Sequence, residues 1–254
     1  MTRACPHLPR ARPARAGGSI VVLAALALAV LAPRAARATG DDFTQETLVA
    51  RGMGAREIGL ETAADLRVDR DYRVQGWFTP ELELGITSAW VVEGAAAFVN
   101  RGRGLESGGW KAESRYVLLE QPRWPVAVAA AVEYEEETTA AKHPPVEQMV
   151  AYRAVASRLF GSDVLATFNW GWDRRLIPVS GSAGMFAAGV RWPEHGAVCW
   201  GAEYLDERLE RRKLYGPDLR IRLPNQMRLR LGASFGPGSQ VYRFIGRAIL
   251  EADL

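Results

Sequence analysis

The feature that most constrains this chain is a period-two alternation of apolar and polar side chains, sustained from residue 56 to Leu254 with only turn residues interrupting it. Ile58, Leu60, Thr62, Ala64, Leu66 and Val68 share one face of the first segment, and Glu57, Gly59, Glu61, Ala63, Asp65 and Arg67 share the other. Successive side chains point to opposite faces only in an extended strand, so the pattern predicts β-structure. The last segment repeats it, with Tyr242, Phe244, Gly246, Ala248 and Leu250 against Arg243, Arg247, Glu251 and Asp253. In all, twelve strands are predicted, over 56–69, 71–87, 89–100, 109–121, 125–137, 147–160, 163–174, 181–192, 197–209, 214–223, 226–236 and 240–254. Segment 147–160 is the least regular, because Arg153 and Arg158 fall on opposite faces. No helical period competes, and no stretch beyond residue 38 reaches the ~18 consecutive apolar residues of a membrane-crossing helix.

The first 38 residues differ in kind. Arg3, Arg10, Arg12 and Arg15 precede an apolar run from Ser19 to Ala32, and Ala36-Arg37-Ala38 then supplies small residues where a signal peptidase reads them. That order predicts a secretory signal peptide over 1–38, cut between Ala38 and Thr39. The six arginines of this leader also distort the charge balance. The whole chain carries +3, whereas residues 39–254 hold 26 basic and 29 acidic side chains, a net charge of −3. Bulk basicity, and with it a nucleic-acid partner, is therefore not expected. Beyond the leader only Cys199 remains, together with His143 and His195, so neither a disulfide framework nor a His/Cys metal centre is available. No cofactor is expected.

Alternation alone does not say whether the apolar face is a core or a lipid-facing surface. An even strand number and segments of 10–14 residues favour the second reading. So does the pattern of connections, tight at every second position and mostly longer and more polar between them (101–108, 138–146, 175–180 and 210–213). Trp110, Trp172 and Tyr134 fall near the long-loop ends of their strands, and Trp90, Trp124 and Trp192 near the short-turn ends, as the two aromatic girdles of a membrane barrel require. The expected fold is all-β: a closed antiparallel transmembrane β-barrel of about twelve strands over 56–254. Residues 39–55 are expected to form either a periplasmic N-terminal segment or a short plug.

The leader, the twelve segments and the terminal strand Val241-Tyr-Arg-Phe-Ile-Gly-Arg-Ala-Ile-Leu-Glu-Ala-Asp-Leu254 together resemble small Gram-negative outer-membrane β-barrels of porin and transporter type. The resemblance covers the whole of 39–254 as a pattern. It implies residence in the outer membrane of a Gram-negative bacterium, contact with outer-membrane lipid, and recognition of the last strand by a barrel-assembly machinery. In that family the strand closes on an aromatic residue, where this chain has Leu254. A second, local similarity joins the hairpin from Glu81 to Glu93 to barrels named for a phenol-degradation pathway.

Twelve strands lie between the eight that leave an interior filled by side chains and the sixteen to eighteen that leave a water-filled channel. The predicted lumen is lined by Glu57, Glu61, Asp65, Glu81, Glu83 and Glu93 from the first three strands and by Arg220, Arg222, Arg228, Arg230, Arg243 and Arg247 from the last three. Charge is thus segregated by sector, and one register of the closing strands would pair Glu61 with Arg247 and Asp65 with Arg243. The function expected is a passive channel or small-solute transporter. The alternatives are a structural or interaction barrel with a sealed lumen and a soluble periplasmic binding barrel. Catalysis is not expected, since His143 lies in a loop beside Pro144-Pro145, His195 lies in a turn at the opposite end, and neither alternates with a serine. Gly108 and Gly109 fall in a predicted loop, and the acidic run Glu133 to Glu137 lacks the spacing of a calcium loop.

Overall fold

The computed structural model describes residues 42, 47–102, 104–138, 146–161, 163–177, 180–236 and 241–254. The signal peptide, its cleavage site at Ala38 and Thr39, and His143 lie outside the described residues. Twelve strands form a single closed antiparallel barrel, each paired with its neighbours in sequence, with β1 closing on β12. They are β1 (Ile58–Asp69), β2 (Val74–Gly85), β3 (Trp90–Asn100), β4 (Leu105–Leu119), β5 (Ala127–Thr138), β6 (Val146–Phe160), β7 (Val164–Ile177), β8 (Gly181–Trp192), β9 (Val198–Glu207), β10 (Arg212–Arg222), β11 (Met227–Phe235) and β12 (Tyr242–Asp253). We call the end where β1 begins and β12 finishes the terminal end, and the opposite one the far end. Closure leaves no sheet edge unpaired.

The faces divide as the alternation requires. Leu66, Leu82, Tyr116, Leu118, Phe168, Val190 and Phe235 are exposed on the outer surface, while Asp65, Glu93, Arg115, Asp173, Arg191, Asp218, Arg220, Arg230 and Glu251 are buried inside. This is the reverse of a water-soluble fold, in which ionised groups are almost never fully buried. Seven of the eight tryptophans are exposed, and Trp77 is the one that turns inward. Strand β6 keeps the pattern despite its two arginines: Arg153 is buried in the lumen, whereas Arg158 lies outside with its guanidinium 4.7 Å from the Phe160 ring centroid.

Two expectations change. The connections run to three to seven residues at both ends, because β4, β7 and β10 extend into stretches that looked like polar loops. A charged lumen face lets a strand continue through polar sequence, so polarity does not mark its end. Gly108 and Gly109 accordingly sit within β4. Gly109 pairs with Ala97 and Ser107 with Phe98, which leaves Gly108 as the extra residue of a bulge. Other turns are tight for a local reason. Asn225 and Gln226 both adopt positive φ, the geometry that suits a short hairpin to the twist of its strands.

The closing register is also corrected. Asp65 lies opposite Arg247, and Glu61 lies opposite Glu251. Arg247 donates to Asp65 through Nε at 2.6 Å and Nη2 at 2.7 Å. Glu61 is instead reached by Arg230 of β11. Beyond this run a bulge falls between Val68 and Asp69, whose partners are Phe244 and Tyr242. Arg243 is skipped and Tyr242 takes the inward position. A double-mutant cycle of Asp65→Ala and Arg247→Ala, read by urea unfolding in detergent micelles, should give a coupling of about 1–3 kcal/mol, as for directly bonded pairs. The defect of Glu61→Arg should not be rescued by Arg247→Glu.

Candidate functional site: a charge hub inside the lumen

The chain enters the barrel at its terminal end. Arg56 N donates to Gly85 O at 2.6 Å, and Gly85 N to Glu57 O at 3.0 Å, which pins the entry to the rim of β2. Glycine is required on both sides of this crossing. A Cβ on Gly52 would collide with Ser88 O, and one on Gly85 with Gly54 O. Residues 47–50 and Met53 are then buried within the lumen.

A non-strand segment inside a barrel must satisfy its peptide groups with wall side chains. Thr47 donates from N and Oγ1 to Glu203 Oε1 at 2.8 and 2.6 Å. Asn169 treats Leu48 as a neighbouring strand would, accepting from its N at 2.8 Å and donating to its O at 2.9 Å. Ala50 N donates to Ser157 Oγ at 2.8 Å. Ser157 and Thr167 are 2.8 Å apart, and Thr167 donates to Leu48 O at 2.9 Å. Each hydroxyl has one proton, so the bonds run in one direction: Ala50 to Ser157, Ser157 to Thr167, Thr167 to Leu48. Room for the segment comes from β5, whose inward residues here are Ala127, Ala129 and Ala131. They form one apolar cluster with Leu48, Ala50, Val117 and Val155.

Deeper in the lumen, three arginines from distant strands meet at Asp42. Arg115 of β4 grips its carboxylate with both terminal nitrogens, at 3.1 and 2.8 Å. Arg191 of β8 and Arg230 of β11 donate to its backbone oxygen at 3.0 and 2.8 Å. Val49 N closes the arrangement, donating to Asp42 Oδ1 at 2.5 Å. The remaining guanidinium groups are matched to wall carboxylates: Arg115 Nε to Glu113 at 3.1 Å and Arg191 Nε to Asp218 at 3.1 Å. Removing one partner of a buried ion pair strands the other charge at a cost of ~3–5 kcal/mol, so these pairs hold one another in place.

Ten of the twelve residues predicted to line the lumen belong to it or to its terminal rim. Glu81 and Glu93 are bridged by Lys111, with Nζ at 3.0 and 2.7 Å. Glu83 completes a carboxylate trio whose oxygens come within 4.8 Å of one another. An ammonium group already serves two of these carboxylates. Arg220 donates to Glu194 Oε1 at 3.1 Å, and Arg228 to Glu251 Oε1 at 2.7 Å. Arg230, Glu61, Asp65 and Arg247 pair as described above. Glu57 lies at the terminal rim, where it accepts from Gly54 N at 2.6 Å. Two residues stand apart. Arg222 is exposed and donates to His195 O at 2.9 Å, and Arg243 is exposed at the far end, donating to Tyr72 Oη at 2.8 Å.

The acidic and basic sectors do not face each other as bare walls, since Arg115 and Lys111 stand among the acids and Asp218 and Glu251 among the arginines. Sequence reasoning missed Asp42, Arg115, Asn169, Arg191 and Glu203. Arg115, Asn169, Arg191 and Glu203 occupy inward positions of the alternation, and the inward alanine row of β5 signals a guest. Nothing local marks Asp42.

No protein-family model matches the chain. No curated protein matches it either, so the hairpin similarity to phenol-pathway barrels finds no support. Among solved structures, Omp33 of Acinetobacter baumannii is similar at 8% identity and a TM-score of 0.46, covering 78% of this chain and 98% of that one. OmpF of Salmonella typhi, in complex with daunomycin, gives 6% and 0.38, covering 81% and 98%. A mutant of the Rh. blastica porin gives 9% and 0.29, covering 78% and 99%. At these values the fold assignment stands on the strand pairing of this chain itself.

The hub predicts how firmly the inner segment is held. In a Leu48→Cys background, adding Asp42→Ala should accelerate modification by a water-soluble maleimide by at least about tenfold, the factor equivalent to one lost charge-assisted bond. Buried Cys199 provides the unreactive internal reference.

Proposed function

We propose that this chain is an outer-membrane barrel that conducts small solutes, and that residues 42–54 act as a plug closing its lumen. The observation that carries the reading is the combination of a lipid-suited exterior with an interior segment whose peptide groups are met by side chains of the wall. Exposed leucines, phenylalanines and tryptophans around a closed barrel suit hydrocarbon and would be costly in water. No helix of the described residues is long and apolar enough to cross a membrane.

The inner segment is bonded through Glu203, Asn169, Ser157, Thr167 and Arg115, and its Leu48, Val49 and Ala50 pack against apolar side chains of the wall. The neutral bonds among these exchange with water at about 1 kcal/mol net each, whereas the buried Asp42–Arg115 pair is the costly one to break, so in this reading release of the segment is gated by that pair. In this reading the terminal end is periplasmic, and the plug is the N-terminal stretch of the exported chain. Solute would pass along the inner wall between the acid-rich sector of β1–β3 and the arginines of β10–β12 once the segment is withdrawn. The field between those sectors favours dipolar solutes.

A second reading has its own support. Arg191, Arg220 and Arg230 are buried to 2% exposure or less, a degree of packing that fits a permanently sealed barrel presenting its far-end loops. Planar-bilayer recording separates the two. The full chain should conduct rarely or in small steps, and deletion of residues 39–54 should give stable unitary steps several times larger. A deleted protein that migrates as a folded barrel on unboiled gels yet shows no steps would establish the sealed barrel. Stability of the purified chain in plain buffer, without detergent, would remove the membrane assignment itself.

A further inference from the structure

At the far end, beyond the charge hub, the lumen holds a cavity of about 140 Å³. Its floor between β2 and β5 is the pair Gly108-Gly109, which carries no side chains. Trp77 flanks this floor on one side: a Cβ on Gly108 would lie 2.8 Å from its ring. Glu137 flanks it on the other, as the strand partner of Gly109. Trp77 is the one inward tryptophan and is 5% exposed, yet its Nε1 has no acceptor among the described residues. A buried donor left unpaired costs about 1–3 kcal/mol unless something occupies the space before it.

The ring face is already covered. Arg67, held by Asp65 at 2.9 Å, places its guanidinium 4.4 Å from the indole centroid. Only the N–H edge of Trp77 is left to recognise a guest. Glu137 is half-buried and forms no ion pair among the described residues, unlike Glu81, Glu133 and Glu207 at the same cavity, which are held by Lys111, Arg153 and Arg212. Seven carboxylates and five cationic side chains line the cavity, an excess of two negative charges in a low-dielectric enclosure.

We propose that this cavity binds a small organic cation that also carries a hydrogen-bond acceptor, the acceptor on Trp77 Nε1 and the ammonium on Glu137. Size fits the same class: a protein cavity of ~150 Å³ accommodates a guest of about benzene's bulk, or six to eight heavy atoms. The site lies at the mouth of the proposed conduit, but binding does not require conduction, so a chain that binds without conducting would retain this inference and lose only the channel.

The test is calorimetric titration of the full chain in detergent with 4-aminobutanamide, which has one ammonium and one carbonyl. 1,4-Diaminobutane lacks the carbonyl and butanamide lacks the charge. 4-Aminobutanamide should bind saturably, at least about tenfold more tightly than butanamide, which lacks the charge-assisted bond, and severalfold more tightly than 1,4-diaminobutane, which lacks the neutral one. Trp77→Phe removes the N–H while keeping an aromatic ring under Arg67, and should weaken 4-aminobutanamide more than 1,4-diaminobutane. Glu137→Gln should weaken both amines. Unboiled-gel migration confirms that each variant is folded, and Glu137→Gln decides the matter if Trp77→Phe is not. Absence of saturable binding overturns the proposal. Equal affinity for butanamide, tighter binding of the zwitterion 4-aminobutanoate, or indifference to the folded variants would do the same.

Discussion

Asp42 is the residue on which the interior depends. A twelve-strand wall brings Arg115, Arg191 and Arg230 into one lumen level from β4, β8 and β11, and an interior this narrow cannot hydrate three guanidinium groups as bulk water would. One carboxylate and one carbonyl oxygen meet all three. Because these oxygens belong to a segment outside the sheet, the electrostatics of the wall is completed by a piece of chain that contributes no strand. The interior charge and the position of the inner segment are therefore one problem with one solution.

The wall is built around that solution. Small inward alanines on β5 leave a trough for Leu48 and Ala50, and hydroxyl and amide side chains on β6 and β7 supply the hydrogen bonds a neighbouring strand would otherwise give. Glycines at the rim let the entering backbone pass against the β2–β3 turn and the end of β2. At the other end of the lumen Gly108-Gly109 in β4 lets the Trp77 ring and the Glu136 backbone pack closely beside a cavity of about 140 Å³. One end of the interior is thus occupied by the chain and the other is shaped for something smaller.

The barrel was legible residue by residue because its two environments differ so sharply. Leu66, Leu82 and Trp90 against Asp65, Glu83 and Glu93 can be sorted from sequence alone, since one set suits hydrocarbon and the other does not. Strand ends were less legible. Residues 105–108 (Leu-Glu-Ser-Gly) belong to β4 and 175–177 (Arg-Leu-Ile) to β7, although the glycines and charges around them were read as loops. The expected pairing of Asp65 with Arg243 was off by four residues, because the register depends on how β12 meets β1 and leaves no mark in either strand taken separately.

The alternation by itself determined the strand number, the closed antiparallel order and which side chains face inward, because a period of two admits no other periodic structure and unpaired edges have no place in lipid. Only the tertiary structure decided which charges meet. Ion pairing along the inner wall joins residues more than a hundred positions apart, such as Arg230 with Glu61 and Arg247 with Asp65, and their meeting depends on curvature and register. Those are properties of the closed wall, and no local pattern of residues encodes them.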